Sequence, residues 1–219
     1  MNNATRETIL SSIRTHLAAS PPSDHHEHHP VNLKNPAITS PQPNALTLIE
    51  RFKHSLESVD GHCIITTDVT DVLSRIITDL NAQRLAISDH PDVERFLHAT
   101  DLEIEELGIA PNAHDIFRFD VGISTAQAAI AETGTLVLDS TYERHRLVSL
   151  VPPVHIAIIN ASSICATLSD ALSLLQKENE ISPAITFITG PSRTGDIEMT
   201  LTIGVHGPQR LYVIINESN

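Results

Sequence analysis

Aromatic side chains make up only 3% of this 219-residue chain, so its core has to be filled by Ile, Leu, Val and Ala. Cysteine is scarce too, with Cys63 and Cys165 alone. An iron–sulfur cluster generally takes about four ligands, so two thiols cannot hold one. Both cysteines sit beside apolar runs and read as buried thiols, which suits a reducing compartment. Positive charge is also in short supply, at 14 Lys and Arg against 27 Asp and Glu. The net charge of −13 opposes binding to nucleic acid, whose phosphates demand a basic face, and to anionic membrane surfaces. No apolar run approaches the roughly 20 residues of a membrane-spanning helix. No cationic start leads into an apolar leader, so a cytoplasmic location is expected. Neither a dinucleotide-binding glycine fingerprint nor a P-loop follows any apolar strand segment.

What is present is a regular alternation of two periods. Ile9, Leu10, Ile13 and Leu17 recur at helical spacing and predict an amphipathic helical arm within 1–20. A linker over 21–43 follows, extended by Pro21, Pro22, Pro30, Pro36, Pro41 and Pro43. It contains the tract Asp24-His25-His26-Glu27-His28-His29. Histidine-rich tracts can bind zinc, nickel or copper, but a structural metal site needs rigid ligands with a second shell. The tract therefore reads as solvated linker, and no metal site is expected. The folded domain is expected over 44–219, opening with a helix that carries Ala45, Ile49, Phe52 and Leu56 on one face. Strands are predicted at 62–66, 84–88, 102–105, 136–138, 154–159, 185–188 and 211–215, with helices at 69–80, 91–98 and 168–175. Such alternation predicts an α/β fold, an open and mostly parallel sheet with helices on both faces.

Two polar stretches adjoin buried apolar runs closely enough to be candidate sites. After Ile185–Ile188, Gly190-Pro191 ends the strand and leads into Ser192, Arg193, Thr194, Asp196 and Glu198. Hydroxyls and the planar fork of Arg193 match a carboxylate or phosphate, and a strand end is where open α/β sheets place ligands. The second stretch, Glu132-Thr133-Gly134-Thr135, precedes the strand at 136–138 beyond a small alanine-rich turn. Glu132 there is either a nucleophile or general base, or a turn carboxylate satisfied by Thr133 and Thr135. Gly134 leaves room for a ligand or another backbone. Arg146 closes a basic run ahead of Pro152-Pro153. Arg193, Arg146 and Glu132 are expected to face one another across the ends of the central strands, forming an anion site. His155 lies among Val and Ile and reads as a hydrogen-bonded core histidine.

Four segments taken together, AIAETGTLVL (129–138), RLVSLVPPVHIA (146–157), TGPSRTGDIE (189–198) and GVHGP (204–208), resemble the LUD domain. Within that family the similarity is to the single-domain lactate utilisation protein C group, and it covers roughly the C-terminal half of the chain. The resemblance implies a fold like that of sugar-phosphate isomerases, coenzyme A transferases and 5-formyltetrahydrofolate cyclo-ligase. It implies an accessory subunit of a cytoplasmic system oxidising L-lactate to pyruvate. The partners would be an iron–sulfur subunit and a cysteine-rich subunit, with no cofactor in this chain and a small anionic metabolite as ligand. The alternative is a free-standing transferase or isomerase-like enzyme acting on a small anion or acyl-CoA through Glu132, since coenzyme A transferases place a catalytic glutamate in a Glu-x-Gly setting.

If the histidine tract is linker alone, replacing His25, His26, His28 and His29 by serine leaves melting temperature and bound metal unchanged. A loss of both, by calorimetry and metal analysis, would reverse the reading.

Overall fold

Asp68 starts the best-defined helix of the protein, its Oδ1 accepting from the backbone N–H of Asp71 at 3.0 Å. In the helix that follows, Val69–Asp79, Val69, Val72, Leu73, Ile76 and Ile77 are all buried. That spacing puts one apolar stripe against the sheet. The computed structural model describes residues 3–19, 45–142, 146–175, 184–195, 201–203 and 207–218. The linker with its histidine tract, Glu143, Arg144, His145, Asp196 and Glu198 lie outside the described residues.

The chain divides into two units, Met1–Gln42 and Pro43–Asn219. The first contains helix α1 (Asn3–Ala19), on which Ile9 and Ile13 are exposed. In the second, helices α2 (Ala45–Glu57), α3 (Val69–Asp79) and α4 (Pro91–His98) alternate with strands β1 (His62–Thr66), β2 (Arg84–Ile87) and β3 (Glu106–Ile109). Then come β4 (Val121–Thr125), β5 (Ala128–Ile130), β6 (Thr135–Asp139), the short helix α5 (Leu147–Leu150) and β7 (Val154–Asn160). The remainder comprises β8 (Ile164–Cys165), helix α6 (Leu168–Leu175), β9 (Ile185–Thr189), β10 (Arg193–Gly195), β11 (Leu201–Ile203) and β12 (Arg210–Asn216).

Six strands form one sheet in the order β1-β12-β7-β4-β2-β3, and every pairing in it is parallel. Its central strands are buried on both faces, as parallel sheets require. Along β12, Leu211, Val213 and Ile215 enter a core shared with α2, while Ile214 enters the opposite core under α3 and α4. Helices therefore flank both faces. No helix among the described residues is long and apolar enough to cross a membrane.

The strands predicted at 136–138 and 185–188 do not join this sheet. They belong to a second sheet, β8-β5-β6-β9, in which β6 runs antiparallel to both β5 and β9. The reason lies in chain length. A parallel crossover needs about a dozen residues or more, and only residues 131–134 separate β5 from β6. The expected alanine-rich turn is itself β5, whose small Ala128 and Ala129 are fully buried. This sheet lies between two layers: Leu136 and Leu138 pack into the core over the parallel sheet, and Val137 packs against Ala171 of α6. Strand β9 is the last in its order, with Ile185 and Phe187 36% and 45% exposed. The strand expected at 102–105 begins four residues later, at Glu106. Glu105 and Glu106 both donate to the Gln83 carbonyl, which starts the ladder at Arg84↔Glu106. Leu102 and Ile104 pad the core instead.

Gly134 sets how closely the second sheet approaches α2. Its φ is +66°, and a Cβ there would lie 2.3 Å from the Leu56 nitrogen. Gly134→Ala combines left-handed strain with overpacking and should cost about 3 kcal/mol. Calorimetry should record a fall of roughly 6–12 °C in Tm; a fall under about 2 °C would show that the joint yields freely.

Candidate functional site

The last turn of α2 gathers both polar stretches singled out in the sequence. Ser55 Oγ donates to the Ala131 carbonyl at 2.9 Å and approaches that of Glu132 at 3.4 Å, which fixes the start of the Glu132–Thr135 turn. Two residues beyond α2, Val59 meets the other stretch. Gly190 has φ +75°, and a Cβ on it would lie 2.7 Å from the Val59 carbonyl. Asp60, itself at φ +63°, forms an ion pair and hydrogen bond with Arg193. Register completes the joint, since Thr135 stands opposite Thr189. A line of hydroxyls runs from Thr133 to Thr135 at 2.6 Å and on to Thr189 at 2.7 Å. These side chains satisfy one another rather than the Glu132 carboxylate.

Glu132 and Arg193 thus occupy the same edge of the molecule. Ser192 donates its backbone N–H to the Pro208 carbonyl at 2.8 Å, just before β12 begins, and a Cβ on Gly207 would lie 3.1 Å from the Ser192 Cβ. The same point is 3.5 Å from the Leu150 carbonyl, at the end of α5, and Arg146 immediately precedes that helix. Asp60, Leu150 and Gly207 immediately precede β1, β7 and β12. The whole cluster therefore lies at the amino edge of the parallel sheet, opposite the carboxyl edge where such folds usually bind ligands.

The individual positions differ in what they offer. Glu132 is exposed, and its carboxylate has no ion pair among the described residues. Arg146 is exposed as well. Arg193 is exposed and already faces Asp60, a pairing of exposed charges worth about 0–1 kcal/mol. Thr194 lies in β10 opposite Thr202, in a short antiparallel pairing. Gly134 and Gly190 are filled by the backbone of α2 and its turn. Asp60 and Ser55 were not legible as members of the cluster, because nothing in sequence spacing relates residue 60 to residue 193. Among the described residues, no group of three His, Cys, Asp or Glu is placed to hold a metal ion.

His155 is a core residue, as its apolar flanks predict. It is 0% exposed, and its Nε2 lies 2.9 Å from the Oγ of Ser124, which is 1% exposed. The distance is that of a nucleophile and its base, but substrate cannot reach either group, so the contact joins β7 to β4. The other ring nitrogen, Nδ1, is buried without a hydrogen-bond partner. Burial pushes the imidazole down to about 3. The cysteines differ: Cys63 is buried, and that burial pushes its thiol up to about 12, whereas Cys165 is only part-buried.

An open, parallel α/β domain carrying a second small sheet is the class that these observations define. A DUF162 family protein from Deinococcus radiodurans has a similar fold, with a TM-score of 0.60 at 20% identity over 78% of this chain and 97% of that one. The profile of the LUD domain matches residues 49–216, and this chain belongs to that family. Lactate utilization protein C of Macrococcus caseolyticus is 31% identical over 194 residues, 81% of this chain and 84% of that protein. Its counterpart from Anoxybacillus flavithermus is 28% identical over 69% of this chain and 72% of its own length. The Exiguobacterium sp. counterpart is 42% identical, over 46% of each chain.

The buried His155 gives stability a defined pH dependence. The unfolded chain binds a proton on this imidazole near pH 6.5, and the folded chain refuses it until about pH 3. This contribution is complete above pH 6.5 and declines by about 1.4 kcal/mol per unit as pH falls below it. Between pH 7.5 and 5.0, His155→Gln should remove about 2 kcal/mol of the stability difference seen in denaturant titrations. Equal pH dependence in both proteins would refute this account.

Proposed function

We propose that this chain serves in L-lactate utilisation as an accessory subunit, binding a small carboxylate or phosphate at the amino-edge cluster. The observation that carries the reading is its similarity, along most of its length, to proteins named Lactate utilization protein C. Two cysteines fall short of the roughly four ligands of an iron–sulfur cluster, so the electrons of lactate oxidation pass to partners that carry iron–sulfur and cysteine-rich sites. Exposed Ile9 and Ile13 make α1 an arm suited to such a partner, and the cytoplasm is the compartment for this work. Arg193 and Arg146 supply the positive charge of the anion site, Ser192 and Thr194 the hydroxyls, and Asp60 holds the Arg193 fork in place.

One observation favours a second reading. Glu132 is an exposed carboxylate in a Glu-x-Gly setting, which a transferase could use as a nucleophile. Incubation with acetyl-CoA and L-lactate, followed by trapping of a glutamyl thioester, separates the two readings; no trapped adduct retires the enzyme.

Deleting the gene should abolish growth on L-lactate while sparing growth on glucose, and unimpaired lactate consumption would remove the subunit role. The site has its own test, by titration calorimetry with L-lactate, pyruvate and inorganic phosphate. Arg193→Lys keeps the charge but loses the fork, and should weaken binding about tenfold, or 1.4 kcal/mol. Arg193→Ala should weaken it further, with Tm nearly unchanged because the Asp60 pair is exposed.

A further inference from the structure

The strands of the parallel sheet do not progress in one direction. From β2 the chain moves outward to β3, whereas from β4 it moves the other way to β7, and β2 and β4 are neighbours. Such a reversal leaves a crevice outside the carboxyl ends of the two strands, where open sheets bind ligands. A cleft of about 310 Å³ lies there, lined by His90 and Asp92 beyond β2 and by Thr125, Ala126 and Gln127 at the end of β4. Its size falls within the range of about 300–1,000 Å³ typical of small-molecule sites. It lies on the edge opposite Glu132, Arg146 and Arg193.

The lining is selective. The chain has five Phe and two Tyr, and one of each, Phe96 and Tyr142, borders this cleft beside Ile158, Leu174 and Leu175. Rings and aliphatic groups favour a flat body. The polar groups lean toward donation. His90 Nδ1 accepts from the Asp92 backbone N–H at 3.2 Å, so in the neutral ring the proton sits on Nε2. Asn160 Oδ1 accepts from Asn216 Nδ2 at 3.3 Å, which leaves its own amide hydrogens. Gln127 Oε1 accepts from the Asp139 backbone N–H at 2.7 Å, and its Nε2 donates to Thr125 Oγ1 at 3.2 Å with one hydrogen over.

Among the described residues, the charge around the cleft disfavours a phosphorylated ligand. Arg95, which contacts the lining residues Asp92 and Phe96, is paired with the former at 3.0 Å and stacked over the ring of the latter at 4.7 Å. In the first turn of α4 the Asp92 N–H bonds the His90 ring and those of Val93 and Glu94 the His90 carbonyl, while Asp92 and Glu94 add negative charge there. We propose that this switch-point cleft binds an uncharged planar heterocycle of nucleoside size, presenting hydrogen-bond acceptors to His90, Gln127 and Asn160. The site stands whether or not the amino-edge cluster binds an anion.

The full chain is titrated by ligand-observed NMR with adenosine, guanosine, inosine and riboflavin, each alongside its 5′-phosphate. The expected result is that at least one uncharged compound binds, and that its 5′-phosphate binds more weakly. Asn160→Leu or Tyr142→Ala should then weaken that compound tenfold or more at unchanged Tm. The proposal is overturned if none of the four binds, if the phosphates bind as tightly or better, or if neither substitution weakens binding.

Discussion

Two glycines pressed against the end of one helix govern much of this architecture. At Gly134 and Gly190 the chain takes positive φ and brings backbone onto backbone at Leu56 and Val59. Any side chain there would hold the second sheet away from α2. Leu136 and Leu138 reach the same core as Phe52 and Leu56 because that gap is closed. Close packing makes such a joint discrete rather than adjustable. The placement of Glu132 and Arg193 beside α2 is a by-product of it, since each lies within three residues of one of these glycines.

The domain consequently has two chemically different edges. At the amino edge, loops preceding β1, β7 and β12 meet the turns of the second sheet, and among the described residues the exposed groups include arginines, hydroxyls and the unpaired Glu132 carboxylate. At the carboxyl edge, amides, an imidazole and two rings surround a cleft beside which, among the described residues, Arg95 is already paired with Asp92. The proposed anion site lies at one edge and the proposed cleft for neutral, flat molecules at the other. Folding separates them because β5 leaves the end of β4 and β6 brings the chain back, so that Ala131–Thr135 and Gln127 end up at opposite ends of the same hairpin.

Much of the domain was legible in the pattern of apolar residues. β1, α4 and α6 fall at the predicted residues, because each has a sharp boundary: a glycine, a proline or a capping side chain. The parallel order of the main sheet followed from alternating periods. What periodicity could not separate was membership of two sheets, since Leu136–Leu138 and Ile156–Ile159 are equally apolar. Loop length distinguishes them, as four residues cannot cross a sheet in parallel. The candidate site was legible only in part. Polar residues after strands announced themselves, but the edge to which they belong depends on strand direction within the second sheet. Asp60 and the switch-point cleft arise from residues brought together over long separations, which spacing does not encode.

Strand β9 has a colloidal consequence. Its sequence, Ile-Thr-Phe-Ile-Thr, contains no charge and no proline, the devices that usually blunt a sheet edge. Ile185 and Phe187 point the same way along it and are exposed. Here protection is global rather than local. A net charge of −13 keeps copies of the molecule apart, over a screening distance of about 10 Å at 0.1 M salt. At 1 M that distance shrinks to about 3 Å, and the stripe on one molecule can then meet its like on another. Dispersal of this protein is thus a property of the ionic medium as much as of the fold.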